Sequence, residues 1–329
     1  MKRLYVVALL IAGILAAACG SNTSSTGAST NTTQSGGDST PIVIGFGAPV
    51  VEQLIPEFAK AQGIFKKHGL TNVTVQQITS ASAVIPGMRS GAITFDVMAS
   101  PQPEEGAASG VDLKWLAMWD SRPDLQIIAA PGIKSAGNLR GKVVGMSSTG
   151  STTGVLTIAY LASQGIASTN VRLVPLASVT AQAQAFVSGQ LAAFASGPPL
   201  TQSVLAKRPG STILAQLSQT MKWNGAGLVG YSPWVQAHIG TTAKVVAAIK
   251  DAVSQWKSSP AAAEQTIASA GKVPVSVAKA TYQATLGLIS TSITPSASLE
   301  ASVLQVLGTQ LPNTKAIKAV NLIDTQFTH

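Results

Sequence analysis

Short apolar runs alternate with amphipathic segments from residue 41 to about residue 200. Runs of four to eight apolar residues are typical of buried strands, and apolar residues spaced three or four apart are typical of helices packed on one face. Regular alternation of strands and helices predicts a parallel sheet covered by helices. The predicted strands cover residues 42–46, 73–78, 93–98, 113–119, 125–130, 142–146, 171–175 and 191–195.

The pattern changes beyond residue 225. The glycine-containing segment 225–227 and the apolar run 228–231 predict a strand that crosses back toward the first part of the chain. Prolines then separate the helical patterns that follow, as expected at helix boundaries. We expect this helical tail to pack on the first lobe. Its predicted helices cover residues 243–256, 261–270, 275–289 and 299–307.

Two segments of the chain resemble each other. MRSGAITFDVMAS (88–100) and FVSGQLAAFASG (186–197) both read as a helix end, Ser-Gly, a strand and then Ala-Ser. Self-similarity at this scale indicates repeated structural units. We therefore expect equivalent strands in two similar lobes.

The N-terminus has the pattern of an export signal. Lys2 and Arg3 precede an apolar run over 4–18, which is too short for a comfortable membrane span. Cys19 follows three alanines in a pattern that resembles the bacterial lipobox, whose cysteine is acylated. We predict a lipoprotein signal over 1–19 with lipidation at Cys19; the alternative is an ordinary signal peptide cleaved near Ala18.

The next segment, 20–40, is almost entirely Ser, Thr, Gly and Asn, so it has no apolar side chains to bury and is predicted to be a disordered tether. An acyl anchor followed by a tether predicts an exported protein held at the outer face of the cell membrane, or in the periplasm.

Composition narrows the function further. Hydrophobic residues make up 46% of the chain and charged residues 11%, and loss of Lys2 and Arg3 lowers the formal charge from +9 to +7. The basic residues are dispersed rather than clustered, so we predict no nucleic-acid partner. Cys19 is the only cysteine, so no disulfide is expected in the folded body.

The segment Gly141–Thr157 carries the most suggestive chemistry. Its sequence, GKVVGMSSTGSTTGVLT, reads as a strand, a hydroxyl-rich turn and a helix start. The N–H groups at a helix start bind anions, and the surrounding hydroxyls add hydrogen bonds. The alternative is simple N-capping, because Ser and Thr are preferred caps.

Five segments together carry a family resemblance. They are AKAQGIFKKHGL (59–70), TSAS (79–82), SGAITFDVMAS (90–100), NLRGKVVGMSSTGSTTG (138–154) and SGQLAAFASGPP (188–199). From about Pro41 to Ala215 the chain resembles the solute-binding lipoproteins of ABC importers, in the family that binds nitrate, alkanesulfonates, taurine and thiamine-precursor pyrimidines. The chain departs from the family pattern in the position of Asp96 and in Ala192-Ala193, where an acidic residue is usual.

The resemblance implies the fold and the domains. It is an α/β, periplasmic-binding-protein type II fold: two lobes, each a mostly parallel sheet flanked by helices, joined by two hinge crossings. Lobe 1 would comprise 41–129 plus 226–329, and lobe 2 would comprise 130–225. The hinges would lie near Ala129-Ala130 and near 225–230.

The implied ligand site lies where the carboxyl ends of the strands meet. Its turns offer hydroxyls, an amide and backbone donors, which favour a sulfonate-type organic anion over a charge-paired anion such as nitrate, with a neutral pyrimidine-like ring as the alternative. The candidate ligand-binding residues are Gly47, Ala48, Pro49, Ser80, Ala81, Ser82, Ser100, Pro101, Gln102, Trp119, Asp120, Ser148, Thr149, Gly150, Ser151, Thr152, Thr153, Ser196, Gly197 and Pro198.

Several candidates have structural alternatives. Ser80 and Ser82 suit helix caps, Trp119 suits either a ligand ring or the core, and Asp120 suits either an amine or an ion pair with Arg122. Glu104 and Glu105 fit the first turn of a helix, where the dipole favours acids, so we interpret them as structural.

Catalysis is not expected. The sequence has no Gly-x-Ser-x-Gly or His-Glu-x-x-His motif, and the three histidines fall outside the predicted cleft turns. We predict a monomeric binder without cofactor or metal, whose partners are a small solute, a membrane ABC permease and the membrane reached through the lipid anchor. A sensory lipoprotein is the alternative role.

Overall fold

The computed structural model describes residues 38–176 and 178–329. The predicted signal, Cys19 and the tether up to residue 37 lie outside the described residues. The last residues of the predicted tether are held by the body: the Asp38 N–H donates to the Gly69 carbonyl at 2.6 Å, and the Thr241 hydroxyl donates to the Asp38 carboxylate at 2.7 Å. The folded body therefore begins no later than Asp38.

The first sheet is formed by five strands, β1 (Ile42–Phe46), β2 (Val73–Gln77), β3 (Phe95–Met98), β4 (Leu113–Asp120) and β10 (Ala226–Tyr231). Their order is β2-β1-β3-β10-β4. β1 is parallel to β2 and β3, whereas β10 is antiparallel to both of its neighbours. The predicted parallel alternation is thus correct except for the strand that returns from the second sheet.

The second sheet is formed by five strands, β5 (Gln126–Ala129), β6 (Val143–Met146), β7 (Arg172–Pro175), β8 (Ala193–Ser196) and β9 (Thr212–Gln216). Their order is β7-β6-β8-β5-β9, and β5 is antiparallel to β8 and β9. The predicted boundary assigns β5 to the first lobe, but its pairing places it in the second sheet, so the first crossing precedes Gln126. The sequence pattern did not predict β9.

The two sheets share one plan. β3 and β8 both occupy the central position of their sheets, and each follows a helix whose end is marked by a glycine of positive φ, Gly91 at 79° and Gly189 at 86°. These are the two segments with similar sequences. Their predicted equivalence is therefore confirmed by topology.

Twelve α-helices occur in the described ranges. They are α1 (Ile55–Ala61), α2 (Ile64–Lys67), α3 (Ala81–Ser90), α4 (Gln102–Ala108), α5 (Thr152–Ser163), α6 (Val179–Val187), α7 (Leu200–Lys207), α8 (Ser232–Ala237), α9 (Ile239–Ser258), α10 (Pro260–Gly271), α11 (Val275–Thr285) and α12 (Ala297–Gln310). The first lobe consists of the first sheet with α1–α4 and α8–α12, and the second lobe consists of the second sheet with α5–α7.

The amphipathic segment 52–67 does not form one continuous helix. A 3-10 turn, Val51–Gln53, precedes α1, and Gly63 separates α1 from α2 with a φ of 66°. Such a φ is unfavourable for residues that carry a Cβ, so the glycine permits the break. In the part of the chain that the structure covers, no helix combines the length and apolarity that a bilayer crossing requires.

One apolar cluster continues from lobe to lobe. It joins Trp115 of the first sheet, Val144 of the second sheet, Leu156 of α5 and Val303 of α12. The Gln310 amide at the end of α12 also donates to the Val155 carbonyl of α5 at 3.2 Å. The two lobes are therefore joined by contacts of α12 as well as by the two segments that connect them.

Candidate functional site

Two adjacent segments connect the lobes. The first, 121–125, runs from β4 to β5, and the second, 217–225, runs from β9 to β10. They are bonded to each other, because the Trp223 N–H donates to the Ser121 carbonyl at 3.1 Å and the Gly225 N–H donates to the Asp120 carbonyl at 3.0 Å. A Cβ at Gly225 would lie 2.6 Å from Asp120 Oδ2, so only glycine allows this approach. The crossings form one compact hinge.

A cavity of about 510 Å³ lies between the lobes beside this hinge. The first lobe contributes the turn after β1 and the end of α10, the hinge contributes both crossings, and the second lobe contributes the starts of α5, α6 and α7. Its lining residues are Ala48, Pro49, Val50, Glu52, Gln53, Ala99, Pro123, Asp124, Leu125, Thr152, Thr153, Val179, Thr180, Ser196, Gly197, Pro199, Leu200, Ser203, Trp223, Gly225, Gly271, Lys272 and Val273.

Six predicted ligand-binding residues line this cavity: Ala48, Pro49, Thr152, Thr153, Ser196 and Gly197. A second, smaller cavity of about 350 Å³ is lined by Ser82, Gln102, Ser148, Gly150 and Ser151, with Thr152 shared between the two. Neither lining includes Gly47, Ser80, Ser100, Pro101, Trp119, Asp120, Thr149 or Pro198, and the side chain of Ala81 lies outside what the structure describes.

The turn before α5 is held together by its own hydroxyls. Ser151 is the N-cap: its Oγ accepts from the Gly154 N–H at 3.1 Å and donates to the Ser148 carbonyl at 2.7 Å. Thr153 Oγ1 accepts from the Ser147 N–H at 3.2 Å. A Cβ at Gly154 would lie 1.9 Å from the Ser148 carbonyl oxygen, so a glycine is needed here. The capping role is therefore confirmed for Ser151, and contact with a ligand stays a prediction.

The turn after β1 is also internally satisfied. Gln53 Oε1 accepts from the N–H groups of Gly47 at 2.9 Å and of Ala48 at 2.8 Å. Paired backbone donors of this kind are the groups that bind an anion. Because a glutamine of the same turn already occupies them, an anionic ligand would have to displace Gln53 to reach them.

Ser100 lies beside the hinge rather than at a cavity. Its hydroxyl donates to the Glu104 carboxylate at 2.5 Å, and its carbonyl accepts from Thr152 Oγ1 at 2.8 Å and from the Trp223 indole at 3.0 Å. Thr152 belongs to the second lobe, so this carbonyl ties the two lobes together. The structure thus gives Ser100, predicted as a ligand-binding residue, a position at the hinge.

Trp119 belongs to the core, as its structural alternative stated. Its side chain is fully buried in the first lobe, and its indole N–H donates to the Glu52 carbonyl at 2.7 Å. Asp120 does not form the ion pair considered for it: its Oδ1 accepts from the backbone N–H of Arg122 at 2.9 Å, and the Arg122 side chain is exposed. Burial raises the pKa of Asp120 well above its usual range.

Three carboxyl groups meet where the hinge borders the cavity. Glu52 and Asp124 line the cavity, and Asp120, 1% exposed, lies behind Gly225. Burial raises the pKa of Glu52, and the nearby Asp124 and Asp120 raise it further; burial raises the pKa of Asp124 to about 7. One oxygen each of Glu52 and Asp120 is buried without a hydrogen-bond partner among the described residues. We call Glu52, Asp120 and Asp124 the cleft carboxyls.

The sequence interpretation missed Glu52, Asp124, Trp223 and Lys272 of this cavity. A signal for two of them was present: the chain has only 13 Asp and Glu residues, and Glu52 and Asp124 follow the ends of predicted or observed strands. Trp223 and Lys272 carried no such signal, since Trp223 follows β9, a strand that the pattern did not predict, and Lys272 follows a helix.

Two lobes of this α/β plan, joined by adjacent crossings with a cavity between them, define the periplasmic-binding-protein fold. Solved structures of similar fold include the alkanesulfonate-binding protein SsuA of Xanthomonas axonopodis pv. citri bound to MOPS, at 17% identity and a TM-score of 0.73, covering 86% of this chain and 98% of that one. The aliphatic sulphonate binding protein SsuA of Escherichia coli gives 20% identity and a TM-score of 0.71, with 84% and 94% covered.

The periplasmic nitrate-binding protein NrtA of Synechocystis PCC 6803 gives 15% identity and a TM-score of 0.71, with 88% of each chain covered. No curated protein matches this chain by sequence. The NMT1-like family model matches residues 35–271, most of the chain, and the chain therefore belongs to the NMT1-like family.

Proposed function

We propose that this protein is the extracytoplasmic solute-binding component of an ABC importer, which captures a small organic solute between its lobes and delivers it to a membrane permease. The cavity of about 510 Å³, lined by both lobes and the hinge, is the observation that carries this proposal. Its size suits a small ligand, and hinge rotation is the usual way such lobes close on a solute.

Two ligand classes follow from the sequence and the family. From the sequence alone, the favoured one is a sulfonate-type organic anion; the alternative is a thiamine-precursor pyrimidine or another neutral heterocycle. The hydroxyls of Thr152 and Thr153 at the cavity support an anion, whereas the capture of the Gly47 and Ala48 N–H groups by Gln53 counts against it. A ligand panel must therefore contain both classes.

The proposal is tested by thermal shift and by small-angle X-ray scattering of residues 38–329. The panel holds sulfonates, taurine, nitrate, aromatic carboxylates, pyrimidines and thiamine precursors. A solute that binds only the folded state stabilises it by about 2.7 kcal/mol at 100 times its Kd. We expect one class to raise the melting temperature and to reduce the radius of gyration; binding without compaction at saturation would contradict closure.

A binder is favoured over an enzyme by the surroundings of its titratable groups. His68 pairs with Asp251 at 2.7 Å, and His238 stacks on Trp234 at 4.1 Å between ring centroids, so neither is beside a cavity serine. A serine nucleophile requires an adjacent base. We therefore propose no catalytic residues and no cofactor.

The delivery step depends on the predicted anchor. Acylation at Cys19 would hold the monomer at the outer face of the membrane, near its permease. Metabolic labelling with a palmitate analogue tests this, and Cys19→Ser is expected to abolish the label and release the protein from membranes. A neighbouring histidine kinase, instead of a permease and an ATPase, would favour the sensory alternative.

A further inference from the structure

We propose that the cleft selects a solute that carries a protonated nitrogen group, such as an amine or an amidine, and that Asp124 and Glu52 bind this group. The inference rests on the proposed function, since it assigns the chemistry of the same cavity. It replaces the sulfonate-type anion with a cation.

The first observation concerns the burial and the hydrogen-bond partners of Asp124. It lines the cavity with only 5% of its surface exposed, and no donor of the described residues lies within hydrogen-bonding distance of its carboxylate. Buried carboxyl groups are ordinarily satisfied by protein donors. A carboxyl that is buried, unsatisfied and at a cavity wall is suited to donors supplied by a ligand.

The second observation is the charge around it. Glu52 lines the same wall and Asp120 lies directly behind it, near enough that the carboxyls raise one another's pKa. Basic side chains at this wall are few: Lys272, exposed at the end of α10, lines the cavity, and Arg122 is exposed behind Asp120. Water and salt screen exposed charges far more than buried ones, so a cleft carboxyl that ionises beside a bound cation attracts it more strongly than the exposed Lys272 repels it.

The third observation concerns the groups an anion would use. In the turn after β1, the N–H groups of Gly47 and Ala48 are bonded to Gln53. A sulfonate beside Asp124 and Glu52 would meet carboxyl groups, and it could not use these N–H groups while Gln53 holds them. A cation gains charge-assisted hydrogen bonds from the same carboxyl groups once they ionise.

The rest of the wall indicates the body of the ligand. Val50, Leu125, Val179, Leu200 and Val273 line the cavity together with the buried indole of Trp223. Apolar walls with a few polar groups are typical of sites for compact organic molecules. The solute is therefore a nitrogen base with an apolar or aromatic body rather than a fully polar polyamine.

The test uses probes that share one body and differ in charge. Benzylamine and benzamidine are the cations, benzyl alcohol is neutral, and phenylmethanesulfonate is the anion; aminopyrimidines and aliphatic amines extend the cationic set. Binding to the folded chain is measured by thermal shift and isothermal titration calorimetry. We expect cations to bind, the alcohol to bind more weakly and the sulfonate not to bind.

Variants assign the effect to the carboxyls. Asp124→Asn and Glu52→Gln are expected to weaken cation binding roughly 10- to 100-fold, as for loss of one partner of a buried charged pair. Asp112→Asn is the matched control, since this exposed carboxylate pairs with Lys114 at 2.7 Å outside the cavity, and no change is expected there.

Three results would overturn the inference. If the sulfonate or a neutral ring binds and no cation does, the charge assignment is wrong and the solute-binding role stands. If cations bind with unchanged affinity to both cleft variants, the named carboxyls do not bind them. If no solute of any class binds, the proposed function fails as well.

Discussion

The protein buries two groups of carboxyls, which differ in their hydrogen-bond partners. Glu104 of α4 and Glu300 of α12, the hinge carboxyls, are both fully buried and close enough together for Glu104 to raise the pKa of Glu300. Ser100 donates to Glu104 and Asn224 donates to Glu300. The cleft carboxyls have similar burial at Asp120 and Asp124 but few protein donors.

The difference lies in the partners rather than in the depth of burial. Burial and the neighbouring Glu104 raise the pKa of Glu300 to about 10, so Glu300 keeps its proton at neutral pH, and each hinge carboxyl has one side-chain donor. Asp124, with a pKa raised to about 7, is near the point of ionisation and faces a cavity. Partnered acids stabilise the fold, while unpartnered acids at a cavity are available to a ligand.

The largest expected effect comes from opening the hinge network. Glu300→Ala removes the hydrogen-bond acceptor of Asn224 and should lower the free energy of unfolding by about 3 kcal/mol, as when a buried polar pair loses one member. Glu300→Gln keeps a donor and an acceptor and should stay within about 1 kcal/mol of the original. Urea denaturation measures both; equal effects would show that the network contributes little.

The second prediction concerns the turn before α5. Replacing Ser151 and Thr152 together with leucine should abolish binding of the panel ligand, because both side chains lie at the cavities, while loss of the cap costs about 1 kcal/mol of stability. Thr149→Leu is the control, as this exposed residue lines neither cavity. Unchanged ligand affinity in the double variant would mean that this turn serves only to cap the helix.

The third prediction is a pH dependence of opposite sign for the two ligand charges. A bound cation favours the ionised carboxyl, so it lowers the raised pKa of Asp124 and releases a proton on binding. Cation affinity should therefore rise from pH 6 to pH 8. For one titrating group, the rise is at most about tenfold per pH unit, at pH values below the pKa. An anionic ligand should show the reverse.

The other titratable and charged side chains near Asp124 are Glu52, Asp120, Arg122 and Lys272. Titration calorimetry in two buffers of different ionisation enthalpy counts the protons released. Asp124→Asn should flatten the profile; a profile that keeps its slope in this variant would assign the proton to Glu52 or Asp120.

The smallest expected effect is on stability at the cleft. The folded-state pKa of Asp124 is raised above its unfolded value, so the folded protein holds more protons and its stability falls as pH rises from about 4 to about 7. Asp124→Asn removes this loss and should stabilise the protein by about 1 kcal/mol at pH 8, with little effect at pH 4. Destabilisation at pH 8 would mean that the carboxylate has partners in the fold.

The sequence predicted the fold better than the site. Periodicity located nine of the ten strands, and the repeated Ser-Gly segments correctly indicated two equivalent central strands. These features depend on local patterns. The pattern did not show that β5 joins the second sheet, because that depends on which partner the strand meets after the first crossing.

The site was harder to predict because it is assembled from both lobes. Trp119 and Ser100 follow the rule that strand ends face a cleft, yet packing turns one into the core and the other into the hinge. Lys272 lies about 220 residues from Glu52 in the chain and shares a cavity with it only through the fold of the helical tail. No local pattern carries that information.

The contact of α12 with both lobes has a mechanical consequence. Two adjacent crossings define an axis, and the bond from Gln310 to the Val155 carbonyl lies away from that axis on another part of the second lobe. A rotation of the second lobe about this axis must therefore shift or break this contact. The contact thus adds to the free energy needed to separate the lobes. The angle through which the lobes separate is consequently limited by the last turn of α12, far along the chain from every residue that lines the cavity.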